Sequence, residues 1–499
     1  MDALVAPLLG AFEYLTKPDI ILAVVVGMVI GIVVGALPGV GSTLAFGLVL
    51  PFTFAMDATT AVALLLAINV GNAFGNSLPA LLLGVPGSTT GVLTVMEGYT
   101  LHRQGETGLA LAVAFLSAVI GQAVSILFFI AAVVPLGAIA YYFLQPELFG
   151  LYLFGIVALV SLTGRNIVKG LIAAAFGLLI ATIGLDPLNF VPRFTFGIYE
   201  LREGLNTSAI VVGLVACSEL LRQSRQTFQW GSATGPVKAV FPSLAKIRPA
   251  LKAMFIGTVV GTIVGAVPGA GGTPSALMSY QQAKTFSKTP EKFGHGSVEG
   301  LAAVESAQNA DTSGELIPTL GLGIPGSSTM VLLLAALTLN GYIPGPNLVR
   351  NAPELFSATV AGLIGATILM ALTGWWLSTA MLKVLTINRS VVIVLSLALV
   401  ALGTYSLNYR ILDVLVCFGF GVIGYFMTRF GYSVAAAALA VVLAEGLESN
   451  FRIGLNMFDN SLAEFFSRPI TAIVVVGAAV FLALGIRQTM RTARADRTG

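Results

Sequence analysis

The sequence predicts an all-α polytopic membrane protein made of two inverted-topology repeats with broken helices and re-entrant hairpins, and three observations carry that prediction. The first is composition: of 499 residues, 56% are hydrophobic and only 10% charged, with a mean hydropathy of +0.92. A soluble domain carries roughly a quarter charged residues. The second is the length of the apolar runs, which reach the 20 or so residues that a helix needs to cross a bilayer. They stand at 20–37, 107–134, 147–163, 168–184, 355–382, 390–407, 411–428 and 470–486. With shorter apolar pieces between them, the chain has room for about 10–14 membrane segments at roughly 20 residues each. The third is an internal repeat.

Residues 31–43 read GIVVGALPGVGST and residues 261–273 read GTIVGAVPGAGGT, an offset of 230 positions. A second phrase follows each copy, LPALLLGVPGSTT at 78–90 and IPTLGLGIPGSST at 317–329, at an offset of 239. Pro38, Gly39, Gly41 and Thr43 thereby match Pro268, Gly269, Gly271 and Thr273. Pro86, Gly87, Ser88 and Thr90 match Pro325, Gly326, Ser327 and Thr329. Proline ends a helical hydrogen-bond ladder, so paired Pro-Gly breaks inside apolar surroundings point to interrupted helices around a central site. Kinked ordinary helices are the alternative, and copies at matching places in both halves weigh against it.

In chain order, residues 1–19 form a lead-in interrupted by Pro7, either a surface helix or a plain approach to the first span. Repeat one occupies 20–221, a basic connector 222–251, repeat two with scaffold helices 252–486, and a tail 487–499. Arg222, Arg225, Lys238, Lys246 and Arg248 stand in the connector with no acid, and the tail carries Arg487, Arg491, Arg494 and Arg497. The positive-inside rule places both in the cytoplasm. Lys284, Lys288 and Lys292 follow the first phrase of repeat two, whereas the matching loop of repeat one has Asp57 and no cation. Opposite charge on matched loops implies opposite sides of the membrane, hence inverted repeats, a periplasmic N-terminus and a re-entrant hairpin over 252–283.

Composition also excludes chemistries. Cys217 and Cys417 lack metal or redox spacing, and His102 and His295 are the only histidines. No cleavable signal peptide is visible in residues 1–19. GALPGVGST lacks the lysine of a phosphate loop, and no nucleotide domain or protease signature stands out, so the chain reads as a non-enzyme with no organic cofactor. The stretch EGYTLHRQGET around His102 reads as a solvated loop.

A helix that starts in mid-membrane presents free N–H groups and about half a positive charge, which suits a carboxylate. Unwound carbonyls suit a cation. Neither lysine nor arginine occurs between Lys17 and Arg103 or between Lys292 and Arg350. Any anion is therefore held by dipoles, hydroxyls and co-bound cations. The candidate substrate and cation residues are Pro38, Gly39, Gly41, Ser42, Thr43, Asn72, Asn76, Pro86, Gly87, Ser88, Thr89, Pro268, Gly269, Gly271, Gly272, Thr273, Glu305, Asn309, Pro325, Gly326, Ser327, Ser328 and Thr329. Sodium would bind through backbone carbonyls and Ser, Thr and Asn side chains of the same tips. Asn69, Gln308, Asp311 and Glu315 lie nearby, with Asn72 aligned to Asp311 and Asn76 to Glu315. Glu299 reads as a helix N-terminal acid.

GALPGVGST with LLLGVPGST, GAVPGAGGT with GLGIPGSST, and the stretch GHGSVEGLAAVESAQNAD resemble the large membrane subunit of the tripartite tricarboxylate transporters over nearly the whole chain. The resemblance implies a bacterial inner-membrane permease working with a small membrane subunit and a periplasmic solute-binding protein. Uptake of a citrate-like tri- or dicarboxylate would be driven by sodium or protons through an elevator-like motion. The family pattern has a proline before the glutamate and paired asparagines after it. Here Val304 precedes Glu305 and Gln308–Asn309–Ala310–Asp311 follows, which puts cation preference and substrate charge in question. The competing reading is a passive channel for small anions.

Overall fold

The computed structural model describes residues 2–37, 41–86, 89–138, 142–163, 167–225, 240–380 and 389–498. These are mostly helical. Among the described residues strand pairing is confined to Gly184–Leu185 with Pro192–Arg193. Seven helices among the described residues are long and apolar enough to cross a membrane, and shorter apolar helices such as Ser42–Thr53, Ala250–Gly265 and Ser328–Leu339 accompany them. The protein is a multi-pass membrane protein.

The two phrases sit at matching places in a repeated run of elements. Pro18–Gly35, Ser42–Thr53, Ala58–Gly75 and Ser77–Leu83 are followed by Gly84 in the left-handed conformation, φ 65°. Ala250–Gly265, Gly272–Phe286, Val298–Gly314 and Leu316–Leu322 are followed by Gly323, φ 74°. Glycine alone takes that conformation without strain, and it turns the chain out of each short helix.

Within each repeat two helices pack through a glycine ladder. A Cβ on Gly27, Gly31 or Gly35 would lie 2.5, 2.3 or 2.7 Å from the carbonyl oxygens of Leu64, Ile68 or Asn72. In repeat two, Gly257 and Gly261 meet the carbonyls of Ala303 and Ala307 at 2.3 and 2.5 Å, and Gly265 meets Asp311. Small residues let backbones touch where lipid supplies no hydrophobic drive. The ladder therefore sets the rotation of the Ala58–Gly75 and Val298–Gly314 helices. Each of these helices has a side-chain cap: Asp57 accepts from the Thr59 N–H at 3.1 Å, and Ser297 from the Gly300 N–H at 3.0 Å. A polar cap satisfies an N–H that the first turn otherwise leaves unpaired.

Scaffold helices brace both. Pro353–Ala380 packs on Ala58–Gly75, where a Cβ on Gly362 would sit 2.9 Å from Ala63 Cα. Thr107–Ala138 packs on Val298–Gly314, where Gly121 meets the Ser306 carbonyl. Gln122 bonds both Ser313 and Thr312 there, at 2.7 and 2.5 Å. A loop over 184–206 is clasped to the Val434–Asn456 helix by Arg193–Glu448 and Arg452–Asp186 pairs, at 2.8 and 2.7 Å.

Several local readings change. Pro7 does not interrupt the lead-in: Asp2–Tyr14 is one helix, packed on Pro353–Ala380 rather than free. His102 belongs to the short helix Thr100–Arg103, its ring stacked on Tyr99 and its Nδ1 2.8 Å from Thr107 Oγ1, so the loop starts only at Gln104. Residues 226–239 of the connector lie outside the described residues, and Lys246 pairs with Glu106 at 2.9 Å. The tail continues a helix, Pro469–Thr498, rather than leaving it.

Candidate functional site

Helix breaks leave backbone N–H groups unpaired, and here three helices begin around one cavity of about 580 Å³. They are Ser42–Thr53, Gly272–Phe286 and Ser328–Leu339, and none carries a side-chain cap at its N-terminus. A one-turn helix, Thr89–Gly91, brings Thr90 to the same wall. The flanks come from the two glycine-packed helices. From Ala58–Gly75 and the residue after it come Asn69, Asn72, Ala73 and Asn76; from Val298–Gly314 and the residue after it come Gln308, Asp311, Thr312 and Glu315. These quartets share the spacing i, i+3, i+4, i+7, one face of a helix, and correspond at the 239 offset.

The tips of the two repeats cross-pair. Ser42 Oγ and Thr43 Oγ1 lie 3.1 and 3.0 Å from Thr329 Oγ1. In the reciprocal place a Cβ on Gly272 would lie 2.8 Å from Thr90 Cγ2. Thr90 Oγ1 donates to Gln308 Oε1 at 3.1 Å, and Gln308 Nε2 donates to the Thr90 carbonyl at 3.1 Å. Inside repeat two the Gly269 N–H donates to the Gly326 carbonyl at 2.8 Å, tying both tips together. Gly326 has no room for a side chain, since its Cβ would meet Glu315 Cα at 2.7 Å.

The polar groups of the walls differ between repeats. Asn76 Nδ2 donates to Asn72 Oδ1 at 2.9 Å, leaving Asn72 Nδ2 and Asn76 Oδ1 buried without a partner. At the equivalent places Asp311 and Glu315 interact through their carboxyl groups. Ser275 donates to Asp311 Oδ1 at 2.8 Å and Ser327 to Glu315 Oε2 at 2.7 Å. No lysine or arginine among the described residues lines the cavity. Among the described residues no three His, Cys, Asp or Glu side chains gather as a metal centre. The oxygens available to a cation are those of carboxylates, amides, hydroxyls and broken-helix carbonyls.

Of the residues selected by sequence, Gly41, Ser42, Thr43, Asn72, Asn76, Gly269, Gly271, Gly272, Thr273, Ser327, Ser328 and Thr329 line the cavity. Pro86, Pro268, Pro325 and Gly326 shape the breaks without lining it, and Thr89 opens the one-turn helix. Pro38, Gly39, Gly87 and Ser88 lie outside the described residues. Glu305 and Asn309 are fully buried on another side of their helix. Glu305 accepts from Ser77 and, at 2.6 Å, from Thr94; Asn309 Nδ2 donates to the Glu305 carbonyl at 2.9 Å. Glu299 lies in the first turn of its helix and accepts from Ser287. Thr312 escaped the sequence reading, and the signal that finds it is the shared spacing of the two quartets.

Glu97, the first residue of the EGYTLHRQGET stretch expected to be a solvated loop, is instead a fully buried acid. Glu97 accepts from the Tyr280 hydroxyl at 2.5 Å and from the N–H groups of Gly294, Gly296 and Ser297 at 2.6, 2.9 and 2.7 Å. It fastens repeat one to the loop before Val298–Gly314.

Comparison with known proteins bears on this geometry. The description "Tripartite tricarboxylate transporter TctA family" matches residues 21–439. An "uncharacterized 52.8 kDa protein in TAR-I ttuC' 3'region" of Agrobacterium vitis is 32% identical over 494 residues, 99% of this chain and 98% of that protein. An "uncharacterized protein in TAR-II ttuC' 3'region" from the same organism is 32% identical over 224 residues, 45% of this chain and 93% of its own length. No solved structure matches.

Proposed function

The chain belongs to the tripartite tricarboxylate transporter TctA family, a family of transporters rather than enzymes, and on that premise we propose that it is the large permease subunit of a binding-protein-dependent secondary transporter. It imports a citrate-like tri- or dicarboxylate across the bacterial inner membrane, driven by a cation gradient, with sodium as the coupling ion. A small membrane subunit and a periplasmic solute-binding protein complete the system. The observation that supports this most is the set of uncapped helix N-termini around a cavity without lysine or arginine. Each N-terminus contributes about half a positive charge and free N–H donors. Ligand pockets for small molecules run from about 300 to 1,000 Å³, and 580 Å³ lies in that range.

In this mechanism cations bind to tip carbonyls and to hydroxyl and amide side chains, offsetting the substrate's charge before its carboxylates reach the N-termini. The Ser42–Thr329 and Gly272–Thr90 contacts are equivalent under exchange of the repeats. That equivalence supports an inverted pair of repeats that exchange roles as the site turns from one side of the membrane to the other.

The test is uptake of labelled citrate and a panel of dicarboxylates into proteoliposomes holding this chain, its small partner and the binding protein. Accumulation that needs both an inward sodium gradient and the binding protein supports the reading. Equilibration without accumulation means a passive anion pore. Replacing Pro325–Gly326 or Pro38–Gly39 by alanines should abolish uptake while membrane insertion persists, and retained uptake would count against this site.

A further inference from the structure

Symmetry between the repeats makes one chemical difference between them informative. At two matched places on the cavity wall repeat one has the amides Asn72 and Asn76, whereas repeat two has the carboxyls Asp311 and Glu315. The two acids are 4% and 7% exposed and stand one turn apart. Among the described residues other buried acids have more partners: Glu97 receives four donors, Glu147 has Arg468 and Thr471, and Glu305 has the Ser77 and Thr94 hydroxyls. Asp311 and Glu315 accept one hydroxyl each, from Ser275 and Ser327, and otherwise meet one another, with no cationic side chain at the cavity.

Two adjacent buried negative charges are costly unless a positive charge meets them. The N-termini of Gly272–Phe286 and Ser328–Leu339 lie beside them, and at about half a charge each they offset at most one of the two. The repeat-one wall of the same cavity carries a further oxygen in need of a partner. Asn76 is 6% exposed and lines the cavity, and its Oδ1 has no hydrogen-bond donor. Its free valence is an acceptor, which a cation satisfies and an anion does not.

We propose that the Asp311–Glu315 corner is a seat for one monovalent cation, whose acids repeat two supplies and repeat one lacks. Its ligands are oxygens: the two carboxylates, the Ser275 and Ser327 hydroxyls and Asn76 Oδ1. The seat is additional to any cation held by broken-helix carbonyls, and it polarises the cavity. The cation lies on the repeat-two wall. The substrate carboxylate is drawn to the repeat-one wall, where the N-terminus of Ser42–Thr53 faces amides instead of acids. The placement of the substrate rests on the function proposed above; the cation seat does not.

The seat is tested without any carboxylate present, by equilibrium binding of radioactive sodium to the purified full-length chain in detergent. The wild type is compared with D311N/E315Q, which gives repeat two the amide chemistry that repeat one carries, and with S327A. The wild type is expected to bind sodium saturably. D311N/E315Q should bind one ion fewer per chain, or the same ion with at least tenfold higher half-saturation, and S327A should shift it severalfold. Gel filtration and a helical melting curve establish that each variant is folded. Sodium binding equal in wild type and the folded double variant overturns the proposal. So does a wild type that binds no sodium. A chain that binds sodium here but moves no carboxylate leaves the seat standing and removes only the transport reading.

Discussion

Ser42 Oγ lies 3.1 Å from Thr329 Oγ1, although 287 residues separate them. One residue opens a helix of repeat one and the other belongs to the first turn of a helix of repeat two. Their contact closes one side of the cavity. If the repeats move during transport, this contact opens and remakes in each cycle. A S42C/T329C pair should therefore form a disulfide under mild oxidant, since side-chain atoms within hydrogen-bond reach fall near disulfide geometry. Uptake should stop on oxidation and return on reduction. Full uptake by the cross-linked protein would show that the tips stay together.

The glycine ladder carries the rotation of the wall helices. Gly261→Val would place its Cβ 2.5 Å from the Ala307 carbonyl oxygen and push Ala250–Gly265 away from Val298–Gly314. Overpacking costs about 1–3 kcal/mol, and the displaced wall should lose substrate binding beyond that loss of stability. Gly31→Val should act alike in repeat one, against Ile68 and Asn72. Thermal unfolding in detergent, read beside citrate binding, checks both. Gly419, with nothing within 4 Å of a built Cβ, is the control and should tolerate alanine.

Glu97 holds four donors across the repeats. Hydrogen bonds to a charged group contribute roughly 1.5–3 kcal/mol each, and orphaned buried donors cost about 1–3 kcal/mol. Glu97→Ala is expected to destabilise by at least about 3 kcal/mol on those scales, and Glu97→Gln by less, because its carbonyl still accepts. A cysteine probe in the 287–297 loop should label faster in Glu97→Ala. Unchanged labelling would mean that the loop is held by other contacts.

The clasp on the 184–206 loop has a pH signature. The Asn189 N–H and the Arg452 guanidinium hold the Asp186 carboxyl down to about 2, from an ordinary 3.8. A lowered carboxyl stabilises the fold while it is ionised, so the contribution is whole above the ordinary value and fades as pH falls from 3.8 toward 2. Phe190, Phe194 and Phe196 of this loop are exposed and offer cleavage sites to pepsin. The wild-type loop should resist at the upper end of that window and be cut at the lower end. D186N should be cut throughout, with rates normalised to an unstructured peptide.

Much of this was legible in the sequence because the signals are local. Apolar length marks the spans, and proline marks the ends of helices. The repeat showed itself through Pro-Gly phrases whose spacing the structure keeps. The wall of the cavity was less legible. Glu305 and Asn309 were reasonable choices from Val298–Gly314, since both are polar residues in an apolar chain. Yet Glu305 meets Ser77 and Thr94 away from the cavity. Gln308, Asp311, Thr312 and Glu315 face it instead.

By itself the sequence determined that this is a membrane protein of repeated, interrupted helices with the hydroxyls and glycines of its tips at a shared site. Hydropathy and proline act on the residues nearest them, so no partner is needed to read them. Only the tertiary structure decided which tip meets which and which face of each wall helix looks inward. Those outcomes depend on helix rotation. Rotation is set where Gly31 rests on Ile68 and Gly261 on Ala307, contacts between segments that the sequence leaves far apart.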